Sequence, residues 1–201
     1  MCDFALMFEE IEKSARERFI PVILDDSKEE LLALVKKIKP KRILEIGTAI
    51  GYSGSLMLTC EKDAILDTVE LLEERRDEAT QNFKKFGVID RVNSYLGDVN
   101  VLLPDIIKDN KYDLVFIDGP KSKYLNYLNM VISNINKGGY VFCDNVLFRG
   151  LVANGKKPPH KFRTIVVGLR NFLKYIVNNN NFNSEIKEKG DGIAIIEILK
   201  W

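Results

Sequence analysis

Residues 115–121 read Val-Phe-Ile-Asp-Gly-Pro-Lys, and residues 141–145 read Val-Phe-Cys-Asp-Asn. Each stretch is a short apolar run that ends in carboxylate or amide groups, as expected of a buried strand that reaches the edge of a sheet. In an open parallel sheet, ligands bind at the edge formed by the carboxyl ends of the strands. We therefore expect Asp118, Asp144 and Asn145 to converge at one edge. Their oxygen atoms suit Mg²⁺ or a similar hard cation.

The chain around these two stretches alternates between apolar runs and helical patterns. Strands are predicted at 42–46, 64–70, 91–96, 112–118 and 140–144, with helices at 53–60, 73–86, 99–108 and 123–135 between them. Repeated units of this length join parallel strands through right-handed crossovers. The sequence therefore predicts an α/β fold built on a mostly parallel sheet.

The pattern changes after Asn145. A loop is followed by a predicted helix at 164–177 and by two predicted strands, at 183–188 and 193–199. The triplet Gly190-Asp191-Gly192 between these strands is typical of a hairpin, because glycine tolerates positive φ. We therefore expect a seven-stranded sheet that ends in an antiparallel hairpin, within a single domain of residues 1–201.

Two helices are predicted before the first strand. Residues 1–19 carry apolar side chains at helical spacing, and either Asp26 or Ser27 could cap a second helix that runs to about Lys37. We interpret residues 1–38 as a helical cap. Its apolar face covers either the core of the same chain or a second copy in a homodimer.

Composition excludes several classes of protein. The formal net charge is +1, so the chain as a whole has no polyelectrolyte character. The three cysteines have no C-x-x-C spacing, which argues against a zinc site or a disulfide framework and favours a reducing compartment. We see no signal peptide and no apolar run that could span a bilayer. We therefore expect a cytoplasmic protein without a membrane partner.

A second motif, Ile43 to Ser53, runs from a strand through a turn into a helix. Gly47 would allow a tight turn, and Gly51 would allow a ligand to approach the start of the helix, where backbone amides favour anions. A dinucleotide loop would have the pattern G-x-G-x-x-G, but Ala49 stands at the middle glycine, which disfavours NAD. The alternative is a tight turn without a ligand.

Three acidic residues sharpen the interpretation of this loop. Glu70 closes the second strand at the position of a ribose-binding carboxylate. Glu45, just before the turn, would repel a pyrophosphate but could hold an ammonium group, which favours S-adenosylmethionine (SAM). Asp98 ends the third strand and could contact adenine. Singly each signal is weak, but together they favour a nucleotide-type ligand over a bare turn.

Five stretches of the chain resemble the sequences of a known family. The stretches LEIGTAIGYS (44–53), VELLEE (69–74), GD (97–98), VFIDGPKSKY (115–124) and VFCDNV (141–146) resemble class I SAM-dependent methyltransferases. Specifically, they resemble the cation-dependent O-methyltransferases, which include the catechol and caffeoyl-CoA enzymes. The resemblance covers roughly residues 20–200 and implies a Rossmann-like fold.

The resemblance also implies how SAM would bind. Glu45 and the Gly47 turn would hold its methionine part, and Tyr52 and Ser53 would complete that pocket. The backbone around Ile23 would cover the amine and the carboxylate.

For the nucleoside part, the resemblance implies that Glu70 binds the ribose hydroxyls and that Asp98 and Val99 lie near adenine. Asp118 is counted in the cofactor-binding set as well as in the metal and catalytic sets.

The same resemblance implies the metal and catalytic residues. Asp118, Asp144 and Asn145 would bind the cation, and Lys121 matches the catalytic lysine of the catechol enzymes. A divalent cation lowers the pKa of a hydroxyl and orients it, which suits an acceptor with two adjacent oxygens. Lys121 could accept the proton if the nearby cation depressed its pKa.

A basic segment follows the metal residues. Residues 145–184 contain no aspartate or glutamate, and residues 145–182 are interpreted as a basic insertion and helix on the substrate side. The candidate substrate contacts are Phe148, Arg149, Lys156, Lys157, Lys161 and Arg163. On composition alone, contact with RNA and an ordinary solvated surface remain equally open.

Resemblance favours RNA. The stretches DNVLFRGLVA (144–153), HKFRTIVVGLRNF (160–172) and GDGIAI (190–195) resemble the bacterial tRNA 5-hydroxyuridine methyltransferases, which form 5-methoxyuridine at the wobble position. An anticodon loop presents unstacked bases that basic and aromatic surfaces can bind.

Three hypotheses follow. The first is a methyltransferase that acts on tRNA, and the second is an O-methyltransferase of small catechol-like or phenolic acceptors. The third is a protein that binds SAM or RNA without catalysis.

Overall fold

The computed structural model describes residues 4–153 and 155–200. The strands are β1 (Arg42–Ile46), β2 (Ile65–Glu70), β3 (Val92–Leu96), β4 (Tyr112–Ile117), β5 (Ile135–Cys143), β6 (Phe182–Lys187) and β7 (Ile193–Ile198). The α-helices are α1 (Phe4–Glu17), α2 (Asp25–Ile38), α3 (Tyr52–Cys60), α4 (Glu73–Lys85), α5 (Val99–Ile107), α6 (Tyr124–Val131) and α7 (Arg163–Val177).

All seven strands form one sheet in the order β3-β2-β1-β4-β5-β7-β6. The first five are parallel, whereas β7 is antiparallel to both β5 and β6. The predicted mostly parallel sheet with a terminal antiparallel hairpin is therefore confirmed.

Helices cover both faces of the sheet, which explains why all but one residue of β1 and all but one residue of β4 are buried. One face packs on α5, α6 and α7 around Leu103, Tyr124 and Phe172. The other packs on α1 to α4, where Met57 and Phe83 are fully buried.

The start of β5 differs from the prediction, which placed it at residue 140. The strand begins at Ile135 and continues through Gly138, which has a φ of +77°. The register against β4 shifts between Tyr112 and Leu114. The residues before Tyr140 therefore form an irregular part of a longer strand.

The first helix packs against its own chain. The ring of Phe8 stacks on Phe86 with centroids 4.1 Å apart and meets Tyr52 edge-on at 5.5 Å. Ile11 and Ala15 of α1 are buried in the same core. Of the two alternatives for this helix, the structure shows the one in which it covers the core of its own chain. The homodimer stays a prediction. Residues 1–3 of the predicted helix lie outside the described residues.

The predicted cap of α2 is wrong. The helix begins at Asp25, after Leu24, and Leu24 makes no side-chain capping hydrogen bond. The Ser27 hydroxyl instead donates to Oδ1 of Asp144 at 2.7 Å, and Asp26 accepts from the amide of Gly190 at 3.2 Å. Both candidate caps are used for long-range contacts.

Within residues 4–153 and 155–200, no helix has the length and apolar character needed to cross a membrane.

A buried ion pair joins the amino-terminal halves of four strands. The Asp67 carboxylate is fully buried and accepts from Arg42 (2.9 Å), Asn93 (2.7 Å) and the Tyr112 hydroxyl (2.8 Å). Removing it would leave the guanidinium of Arg42 and the buried hydroxyl of Tyr112 without this partner.

We therefore expect Asp67→Ala to lower the free energy of unfolding by about 3–5 kcal/mol, measured by urea denaturation. Asp63→Ala is the control, because Asp63 pairs with Lys41 where both side chains are mostly exposed. Equal losses in the two variants would contradict the structural role of Asp67.

Candidate active site

The register of the sheet brings four strand ends together. Ile46 of β1 is level with Val69 of β2 and with Ile117 of β4, and Ile117 is level with Cys143 of β5. The residues that follow these positions therefore meet at one edge. A cavity of about 730 Å³ opens there.

The cavity is lined by residues from both halves of the predicted site. Gly47, Glu70, Val99, Asp118, Lys121, Asn145, Phe148 and Arg149 all contribute to its wall. Of the remaining predicted residues, Ile23, Glu45, Tyr52, Ser53, Asp98, Asp144, Lys156, Lys157, Lys161 and Arg163 do not line it.

Gly47 is required by a close approach of two strand ends. Its φ is +102°, and a Cβ atom there would lie 2.7 Å from the carbonyl oxygen of Asp118. No larger residue fits between β1 and β4 at this point. The expected tight turn is therefore present.

Gly51 has a different role from the one we expected. It has a φ of +75°, and a Cβ atom there would meet Ala79 and Phe83 of α4 at 3.0 Å. Gly51 does not line the cavity. The prediction that it admits a ligand is wrong, because its small size serves the packing of α3 on α4.

Glu70 fixes the turn after β1. One carboxylate oxygen accepts from the amide of Ala49 at 2.8 Å, and the other accepts from the amides of Leu71 (2.9 Å) and Leu72 (3.0 Å). The carboxylate is held at the cavity wall in a fixed orientation, next to two leucines that are exposed to the cavity.

Glu45 lies behind the wall of the cavity and is fully buried. Its carboxylate accepts from the hydroxyls of Ser53 (2.5 Å) and Thr68 (2.6 Å). Burial raises the pKa of Glu45 to about 7, although the two hydrogen bonds act in the opposite direction.

Tyr52 also faces away from the cavity. Its hydroxyl makes a short hydrogen bond to Glu12 of α1 and lies 3.5 Å from the ammonium of Lys28 of α2. Burial raises the pKa of this phenol. Tyr52 therefore links the turn after β1 to both amino-terminal helices.

The other cofactor candidates mark the ends of the cavity. Ile23 is buried in the core, whereas its neighbours Val22 and Leu24 line the cavity. Asp98 caps α5 by accepting from the amide of Asn100 at 2.7 Å, and the next residue, Val99, reaches the wall.

The three metal candidates lie at adjacent strand ends. Asp144 is almost fully buried, and its Oδ1 accepts from Ser27 (2.7 Å) and from the amide of Asn145 (2.8 Å). Burial, followed by the charge of Asp118, raises the pKa of Asp144 to about 6. Asp118 pairs with the ammonium of Lys121 at 2.5 Å.

This set contains two carboxylates and one amide. Across residues 4–153 and 155–200, clusters of three or more histidine, cysteine, aspartate or glutamate side chains that could hold a metal do not occur.

One side of the cavity is formed by a loop after β5. Phe148 and Arg149 line the cavity, and both have positive φ, +40° and +56°. Their side chains join a cluster with Phe162: the two rings meet edge-on at 5.3 Å, and the guanidinium lies 5.6 Å from the Phe162 ring centre.

The remaining basic candidates are exposed outside the cavity. Lys156, Lys157, Lys161 and Arg163 lie on the loop and at the start of α7. Arg170 differs from them, because its guanidinium donates to the carbonyls of residues 151, 152 and 156 and so holds this loop.

Three further residues of this region were not predicted as parts of the site. Ser27 holds Asp144, while Arg75 and Asp191 line the cavity. The sequence contained a weak signal for Asp191 in the Gly-Asp-Gly triplet. Ser27 gave the misleading signal of a helix cap, and Arg75 lies in a charged run typical of a solvated helix.

Residues 4–199 match the family model for O-methyltransferases. The chain belongs to the O-methyltransferase family. This membership confirms the methyltransferase resemblance drawn from the strand-end motifs.

Related O-methyltransferases include a caffeoyl-CoA O-methyltransferase from Medicago sativa, which is 29% identical over 87% of this chain and 74% of its own length. Among solved structures, TomG from Streptomyces achromogenes in complex with SAM has a TM-score of 0.84 and 24% identity, over 96% of this chain and 89% of its own. An O-methyltransferase from Bacillus cereus in complex with SAH has a TM-score of 0.83 and 24% identity, over 95% and 90% of the two chains. At this identity the two structures establish the fold.

The environment of Glu45 gives a pH-dependent prediction. The pKa of Glu45 is about 7 in the folded protein, compared with the ordinary value of 4.5 for a glutamate carboxyl. Between these values the folded state binds a proton that the unfolded state has lost, so stability falls as pH rises from 4.5 to 7. We expect this loss to be on the order of 3 kcal/mol.

Glu45→Gln removes the titrating group and keeps the shape of the side chain. The wild type should therefore lose unfolding free energy relative to this variant between pH 5 and pH 8. Urea denaturation at both pH values measures it. Parallel pH profiles would contradict the assignment.

Proposed function

We propose that this O-methyltransferase transfers a methyl group from SAM to an oxygen of an acceptor that carries two adjacent oxygens. The observation that carries the proposal is the single cavity that joins the Gly47–Glu70 wall to Asp118, Asn145 and Phe148. SAM and SAH occupy the related structures of TomG and the Bacillus cereus enzyme, which supports SAM as the methyl donor.

We assign the cofactor contacts from the resemblance, with the roles of Glu45, Tyr52 and Ser53 changed from direct contact to support because these residues do not line the cavity. Gly47 and the backbone on either side of Ile23 would hold the methionine part, with Glu45, Tyr52 and Ser53 supporting that wall from behind. Glu70 would bind the ribose hydroxyls, for which its carboxylate is already oriented by three backbone amides.

At the far end of the nucleoside site, Val99 would contact adenine. Asp98 would support this contact by fixing the start of α5.

The residues at the strand ends fit a divalent cation. The charge of Asp118 contributes to the raised pKa of Asp144, so a positive ion at this edge would relieve the repulsion. Among the described residues, the donors to Asp144 both reach Oδ1, and Asn145 adds an amide oxygen at the wall. We propose that Asp118, Asp144 and Asn145 hold Mg²⁺ or a similar ion.

Bound there, the cation would supply a lowered pKa for the acceptor hydroxyl and a fixed orientation of its oxygens. Lys121 lines the same cavity, and we assign the acceptance of the proton from this hydroxyl to its neutral amine, the form that the charge of a bound cation would favour. Phe148 would pack on the acceptor ring, and Asp118 holds the Lys121 side chain in place.

We further propose that the acceptor is 5-hydroxyuridine at the wobble position of tRNA. The C5 hydroxyl and the C4 carbonyl of this base are adjacent oxygens. The acid-free segment 145–184 begins at Asn145, contains the cavity residues Phe148 and Arg149, and exposes Lys156, Lys157, Lys161 and Arg163. Such a basic surface suits the phosphates of an anticodon loop.

A second candidate is a small catechol-like or phenolic acceptor. The Medicago sativa relative is named for caffeoyl-CoA, and a cavity of about 730 Å³ can hold a single aromatic ring. The third hypothesis, binding without catalysis, is disfavoured by membership of the O-methyltransferase family.

The deciding experiment measures methyl transfer from labelled SAM in the presence of Mg²⁺, comparing tRNA that carries 5-hydroxyuridine with a catechol. We expect methylated tRNA, and loss of the product when EDTA is added. Rapid turnover of the catechol without an RNA product would replace the first acceptor by the second.

Light scattering in the same buffer tests the proposed homodimer, which a monomeric mass would reject.

The metal set gives a prediction for two variants. Asp144→Ala should lower the rate more than about a hundredfold, while SAM still binds in calorimetry, because the cofactor wall is intact. Ser27→Ala keeps the carboxylate but removes its orienting hydroxyl, so it should raise the Mg²⁺ concentration for half-maximal activity about tenfold. Full activity of Asp144→Ala would refute the metal role.

The basic surface gives a prediction about salt. Replacing Lys156 and Lys157 by alanine should weaken tRNA binding and reduce the slope of log K against log salt by about 2, because each lysine neutralises one phosphate. The control variant carries alanine at Lys62 and Lys108, which are exposed and precede the amino ends of β2 and β4. An equal effect in both variants, measured by filter binding, would contradict the proposed RNA surface.

A further inference from the structure

The turn between β6 and β7 holds residues 145–152, which we call the acceptor loop, through three hydrogen bonds donated by amides of this loop. The amides of Val146 and Leu147 donate to the carbonyls of Gly192 and Asp191, each at 2.9 Å. The amide of Arg149 makes a short hydrogen bond to Oδ1 of the Asp191 side chain. Asp191 is thus bonded on both sides of Phe148, and it lines the cavity itself.

The loop needs such support because its backbone is strained. Asn145, Phe148 and Arg149 have φ values of +56°, +40° and +56°, in the left-handed region that side chains other than glycine avoid. Residues hold this conformation only where surrounding contacts fix it. The bond from the Arg149 amide to Asp191 lies at the end of the strained pair 148–149.

The close fit of the loop on the turn leaves it little freedom. Gly192 has a φ of +85°, and a Cβ atom there would lie 2.7 Å from Cβ of Leu147. The amide of Val152 closes the loop by donating to the carbonyl of Leu147 at 3.2 Å.

The turn between β6 and β7 is itself anchored to the amino-terminal part of the chain. The amide of Gly190 donates to Asp26, and Glu30 of α2 pairs with Lys187 and Lys189, each at 2.6 Å. The turn that carries Asp191 is therefore fixed by α2 and is a rigid support for the loop.

We propose that Asp191 is a positioning residue for the acceptor: its carboxylate holds the Arg149 amide and thereby keeps Phe148 at the cavity wall. The inference rests on the proposed function only in that the cavity receives the acceptor beside Phe148. The cofactor side, at Gly47 and Glu70, does not depend on it.

The test compares two substitutions at one position. Asp191→Ala removes the acceptor of the Arg149 amide bond, and it should raise KM for the methyl acceptor about tenfold, the effect of one lost hydrogen bond. Asp191→Asn keeps an acceptor oxygen and should stay within about threefold of the wild type. The dissociation constant of SAM, measured by calorimetry, should be unchanged in both.

Glu188→Ala is the matched control, because it removes a carboxylate from an exposed position of the same turn and Glu188 is not one of the residues that anchor the turn or hold the loop. It should leave KM unchanged. Thermal unfolding of all three variants identifies any that fail to fold, and Asp191→Asn then remains as the comparison with the wild type. Equal KM values in wild type and Asp191→Ala, or an equal rise in Asp191→Asn and Asp191→Ala, would overturn the proposal.

Wild-type turnover of tRNA and of a catechol is measured first, so the acceptor class is settled independently. The KM ratios are then measured with whichever acceptor the wild type methylates. A failure of the tRNA proposal therefore shows in the wild type, whereas a failure of the Asp191 proposal shows only in the variants.

Discussion

The arrangement of residues around the candidate active site depends on the carboxylate of Asp144. It is almost fully buried directly after β5, next to the end of β4, which Asp118 follows. Two neighbouring carboxylates in a poorly solvated place repel each other, and both burial and this repulsion favour the protonated form of Asp144. The surrounding structure partly offsets the repulsion through Ser27, the Asn145 amide and the Lys121 ammonium.

The same constraint links parts of the chain that are far apart in sequence. Ser27 attaches α2 to Asp144, and Asp26 in the same turn of α2 attaches it to the turn between β6 and β7. That turn supports the loop of Phe148. The metal candidates and the acceptor loop therefore share one anchor, while the cofactor wall is held separately by Gly47, whose lack of a side chain lets β1 and β4 converge.

Much of the fold could be predicted from the sequence because it depends on local patterns. Alternating apolar runs and helical periods gave the strands from β1 to β4 within a residue or two, and the Gly-Asp-Gly triplet indicated the hairpin. The start of β5 could not be predicted, since glycines at 138 and 139 have the same local signature in a turn and in an irregular strand.

The site was predictable to the extent that strand ends converge. Asp118, Lys121, Asn145 and Glu70 line one cavity, as the alternation of strands and helices implied. The errors concern residues whose role is decided by distant partners. Ser27 has the composition of a cap but bonds across 117 positions to Asp144, and Gly51 makes room for α4.

The metal assignment is the central claim, and Mn²⁺ tests it without an assay of activity, because its electron paramagnetic resonance signal distinguishes bound from free ion. Titration of the wild-type protein should show one Mn²⁺ bound per chain and displaced by Mg²⁺, and Asp144→Ala should not bind it. A wild-type spectrum identical to that of buffer, or equal binding by Asp144→Ala, would contradict the account.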